Sequence, residues 1–103
     1  MCARELAFID LTQRQLASGG IDALVRVTID GDGAVRIEHA PDHGETRLYA
    51  AARRGWCAAI KWLLEQRADV HAGWPSDGST PLYIASGFGH CDAAVLLLSL
   101  IHI

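Results

Sequence analysis

The chain has 103 residues, half of them apolar, and a formal net charge of −3 at pH 7. This length suits one domain or a part of one. The acidic balance argues against a nucleic-acid surface, which would be basic. The sequence contains no run of 18 apolar residues, so we expect no membrane-spanning helix. Charged residues at positions 5, 10 and 14 interrupt the apolar run that a signal peptide would need. Three cysteines without metal-like spacing indicate free thiols in a reducing compartment, so we expect an intracellular, cytoplasmic protein.

Residues 1–22 are predicted to form an N-terminal helix. Leu6, Ile9 and Leu16 keep helical spacing, and Phe8 and Leu11 widen the apolar face. The segment 18–20 reads Ser-Gly-Gly, and glycine readily adopts the left-handed conformation that ends helices.

Residues 23–43 predict a β-hairpin at about 24–38. Two runs alternate between apolar and polar residues on either side of the turn signal Asp-Gly-Asp-Gly at residues 30–33. An isolated hairpin is marginally stable, so this one should lean on the helices or on a partner. The turn is not a calcium loop, because positions five and twelve of such a loop would be Ala34 and Pro41.

The rest of the chain repeats one pattern at an offset of 34 residues. Residues 44–55 read GETRLYAAARRG, and residues 78–89 read GSTPLYIASGFG. Thr46 and Thr80 suit helix N-caps, Pro81 suits a first helical position, and Gly55 suits the turn between two helices. A fixed period in this range indicates stacked units of supersecondary structure.

The repeated pattern resembles the ankyrin repeat, in which Thr-Pro-Leu opens a short helix and Gly-His precedes a longer one. The resemblance covers about half of the chain: one repeat at 44–77 and a partial repeat at 78–98. It implies an all-α fold, an ankyrin-type helical solenoid of stacked helix-turn-helix repeats with β-hairpin fingers. Residues 1–22 are then either the end of a degenerate repeat or an unrelated helix, and residues 23–43 are an elongated finger or an inserted hairpin.

Two positions depart from the ankyrin pattern. Arg67 and Ile101 stand where the family has a glycine in the left-handed conformation, which strongly disfavours a β-branched residue. The last six residues, LSLIHI, also resemble a translated transposon-end adapter. We therefore expect 99–103 to be a non-native tail on the truncated start of a longer repeat protein. The alternative is a natural apolar C-terminus that continues the helix.

The resemblance also implies a function, because ankyrin arrays are binding scaffolds. We expect a non-catalytic module that binds another protein through a concave surface of finger tips and exposed first-helix faces. Carried over by position, the partner-binding residues are Asp42, His43, Glu45, Arg53 and Arg54 in the first repeat, and Trp74, Ser76, Asp77, Ser79, Gly87 and Phe88 in the second.

Trp74 is the strongest of these candidates, since exposed aromatic residues often anchor interfaces. It could instead fold back onto the next finger. Arg53 and Arg54 could meet an acidic partner or could simply be solvated. Trp56 and Trp62 are expected in the core, Cys57 and Cys91 as buried free thiols, and His90 in a structural role at the turn between the helices.

Two other functions stay open. The chain could be a regulatory or targeting segment of a longer enzyme or membrane protein whose active domain is missing here. An enzyme acting through His39, His43 or Cys57 is less favoured, because an open solenoid offers no convergent polar pocket. We expect no cofactor, no metal, no nucleic acid and no membrane. A monomer is expected, with association through the uncapped end as the alternative.

Overall fold

The computed structural model describes residues 3–19, 23–40, 44–70 and 79–101. Within these ranges it is mostly helical, with a two-stranded antiparallel sheet between the first and second helices. In chain order the elements are α1 (Ala3–Gly19), β1 (Val25–Ile29), β2 (Val35–His39), α2 (Arg47–Arg54), α3 (Cys57–Glu65), α4 (Pro81–Gly87) and α5 (Cys91–Ile101).

The last four helices form two pairs that begin in the same way. Thr46 Oγ1 accepts a hydrogen bond from the backbone N of Tyr49 at 3.2 Å, and Thr80 Oγ1 accepts one from the backbone N of Tyr83 at 3.1 Å. These bonds satisfy N–H groups that a helix leaves unpaired at its start. Gly55, at a φ of 72°, takes the left-handed conformation that turns α2 into α3. The predicted N-caps and turn are confirmed.

The helix pairs pack side by side, α2 against α4 and α3 against α5. Small side chains allow the close approach, since Ala51, Ala59, Ala85 and Ala93 are all fully buried. Larger apolar side chains, Leu63 among them, fill the remaining space. The core therefore lies between the two pairs and beneath the N-terminal segment.

Helix α1 packs on α3 and on β2, as an additional layer. Its buried face is centred on Phe8 and Thr12, whereas Leu6, which was predicted for the apolar face, is exposed. An aromatic contact holds this face of α1 against the core: the centroids of the Phe8 and Trp56 rings are 5.2 Å apart. Glu5 Oε1 also accepts a hydrogen bond from the backbone N of Ala58 at 3.1 Å, at the positive start of α3. The predicted helix is confirmed, and its predicted apolar face is confirmed at Phe8 and wrong at Leu6.

The hairpin forms as predicted and leans on the helices. Val27 pairs with Ile37 across the two strands, and both are buried. Gly33 N donates to Asp30 O at 2.8 Å, which closes the turn. Beyond the hairpin, β1 forms an isolated antiparallel bridge to Glu45 just before α2. The hairpin therefore contacts α1 through β2 and the start of the first helix pair through β1.

The two departures from the repeat pattern have different outcomes. Arg67 has a φ of 68°, which confirms the left-handed position at the end of the first repeat. At the equivalent position the chain stays helical, and α5 continues through Ile101. Helical geometry at Ile101 avoids the strain that a β-branched residue has in the left-handed region.

Candidate interaction surface

The residues predicted to bind a partner divide into three groups in the structure. Asp42, His43, Trp74, Ser76 and Asp77 lie outside the described residues. Glu45, Arg53 and Arg54 form a charged cluster beside the hairpin. Ser79, Gly87 and Phe88 flank or end α4.

The charged cluster is centred on Glu45, which is only 6% exposed. Its Oε1 atom lies 3.3 Å from Arg53 Nη2 and 3.4 Å from Arg54 Nη1. Burial raises the pKa of Glu45 above its ordinary value of 4.5, although both arginines act in the opposite direction. Burial also lowers the pKa of Arg54, with the neighbouring charge of Arg53 adding to the effect. Removal from water therefore outweighs the attraction between these charges.

Arg54 links this cluster to the hairpin. Its Nη2 atom donates to the backbone O of Val27 at 3.1 Å, and its Nη1 atom donates to the backbone O of Ala50 at 3.2 Å. The guanidinium also lies over the Trp56 ring, 5.6 Å from the centroid. The expectation that Glu45 and Arg54 lie on an exposed face is wrong, because the hairpin covers this side of α2. Arg53 remains about one third exposed.

The second helix pair presents a different surface. Phe88 directly follows α4 and is 57% exposed, with its ring edge-on to His90 at 6.3 Å between centroids. Gly87 is exposed and Ser79 is half-buried. Tyr83 on α4 is also exposed, although it was not among the predicted residues. The sequence has the same residue, Tyr49, one repeat earlier. This match does not predict which of the two tyrosines is exposed.

His90 joins the two helix pairs. Its Nε2 atom lies 2.9 Å from the backbone O of Arg53, so this nitrogen donates the hydrogen bond. A Cβ atom at Gly55 would lie 2.6 Å from His90 Nδ1, which explains why only glycine leaves room for the ring. The predicted structural role of His90 is therefore confirmed.

A cavity of about 280 Å³ opens next to this contact. Its lining residues are Gly55, Cys57, Gly89, His90, Cys91, Asp92 and Ala93. Burial raises the pKa of Cys57, and the carboxylates of Asp92 and Glu5 raise it further. The thiol thus stays protonated at neutral pH, and a protonated thiol is a poor nucleophile.

The other residues of the enzyme hypothesis lie on different elements or outside the described residues. His39 ends β2, Cys57 begins α3, and His43 is outside the described residues. Within the described part of the chain, no group of three or more His, Cys, Asp or Glu residues is arranged to hold a metal ion. In the same part of the chain, no helix has both the length and the apolar character needed to cross a membrane.

The paired helices, repeated at an offset of 34 residues and packed side by side, define a helix-turn-helix repeat protein. The chain matches the family described as ankyrin repeats (three copies) over residues 13–103. It belongs to the ankyrin repeat family. The match begins within α1 and so extends beyond residues 44–98, to which the resemblance was assigned. Ankyrin repeat domains are generally protein-protein interaction modules and are typically non-catalytic.

Proposed function

We propose that the chain is a non-catalytic module that binds another protein through the surface around α4. The observation that carries this proposal is the exposure of Phe88, a large apolar side chain directly after α4. Aromatic side chains are over-represented at protein interfaces and often dominate their binding energy.

Neighbouring residues extend the proposed surface. Ser79 and Gly87 lie at the two ends of α4. The finger residues Trp74, Ser76 and Asp77 precede α4 in the chain, and we include them, with Asp42 and His43, on the repeat register alone. Arg53 adds a partly exposed positive charge. Glu45 and Arg54 contribute indirectly, since they hold the hairpin against α2.

The proposal is tested by affinity capture from an extract of the source cells, with the immobilised chain as bait. Phe88→Ala removes the exposed ring. Val95→Ala is the matched control, because it truncates another exposed apolar side chain, on α5. Both substitutions are at exposed positions and should leave the circular dichroism spectrum unchanged.

We expect a set of proteins that the wild type and Val95→Ala retain and that Phe88→Ala loses. Retention of the same proteins by all three baits would show that Phe88 does not contact the partner. A wild-type bait that retains nothing above an empty matrix would contradict the binding function itself.

A regulatory or targeting segment of a longer enzyme or membrane protein is the second candidate. The exposed apolar residues Val95 and Leu98 on α5 favour it, because a following domain could cover them. A longer reading of the source gene separates the two: a catalytic or membrane domain downstream supports this candidate. We also propose an intracellular location, supported by the free thiols of Cys57 and Cys91.

A further inference from the structure

We draw no further inference here: the strongest candidate, the cavity that Cys57, His90, Cys91 and Asp92 line between the starts of α3 and α5, carries nothing, because the described residues around it are not arranged to hold a metal ion and nothing in that part of the structure indicates which ligand would occupy it.

Discussion

Replacement of Arg67 by glycine should stabilise the protein. Arg67 follows α3 and has a φ of 68°, in the left-handed region. Its backbone N donates to the backbone O of Leu64 at 3.0 Å, and the next residue, Ala68, donates to the backbone O of Leu63 at 3.1 Å. The left-handed residue is thus part of the hydrogen bonding that ends the helix.

The size of the effect follows from two opposing terms. A residue with a Cβ atom loses about 1–2 kcal/mol in the left-handed region, and glycine removes this strain. Glycine also gives the unfolded chain more freedom, which offsets about 0.5–1 kcal/mol. The free energy of unfolding should rise by about 0.5–1 kcal/mol, which corresponds to a few degrees in Tm for a domain of this size.

Urea unfolding followed by far-ultraviolet circular dichroism measures the change as a shift in midpoint at constant slope. Two variants serve as controls. Gln66→Gly changes the preceding residue, whose φ of −83° is ordinary, and should lose about 0.5–1 kcal/mol. Arg67→Ala removes the exposed side chain and keeps the strain, so its midpoint should barely move. If Arg67→Gly were destabilised as much as Gln66→Gly, α3 would have to continue through Arg67.

Three other substitutions address the core and the charged cluster. Leu63→Ala should lower the free energy of unfolding by about 2–5 kcal/mol, because Leu63 is fully buried; an unchanged urea midpoint would contradict its burial. Thr12→Val should raise it by about 1–2 kcal/mol, because the buried Thr12 hydroxyl has no hydrogen-bond partner among the residues that the structure describes. Thr12→Ser keeps the hydroxyl and should show no gain. For Glu45, the raised pKa means that the folded chain binds this proton more tightly than the unfolded chain. Glu45 therefore contributes stability that is fully present below its unfolded pKa of about 4.5 and is lost as the pH rises through the folded pKa. The stability of the wild type relative to Glu45→Gln, from urea midpoints, should increase as the pH falls from about 7 to about 4; a decrease over this interval would refute the raised pKa.

Local signals in the sequence predicted the elements well. Thr46 and Thr80 cap their helices through bonds to backbone groups three residues away, so a short stretch of sequence contains the whole interaction. The same holds for the hairpin turn that Gly33 closes. The left-handed position of Arg67 was predictable because the period of 34 residues aligns it with a known feature of the repeat.

Contacts between distant segments were not predictable in the same way. The repeat register placed Glu45 and Arg54 on an open first-helix face, but it contains no information about the hairpin that covers them. For α1, apolar residues lie on more than one side of the helix. The side that became buried was determined by the contact of Phe8 with Trp56, 48 positions later in the chain.

The exposure of residues on the candidate surface could not be predicted from the repeat pattern either. Tyr49 and Tyr83 occupy equivalent positions with the same local sequence signals, yet one is covered and the other is exposed. The difference comes from the number of layers packed on each side. The residue pattern within a single repeat does not indicate how many layers will pack on that repeat.

Hydrogen exchange on the 103-residue chain tests the central claim most directly, namely that α1 and the hairpin complete a stable stack with the two helix pairs. Three or more repeats are normally needed for a stable stack, so the N-terminal layer must supply the missing one. We predict strong protection of backbone amides across 48–65 and 82–97, with the slowest exchange in α3, which packs between α1 and α5. Weak protection throughout would mean that the N-terminal layer does not stabilise the stack, and it would contradict the account.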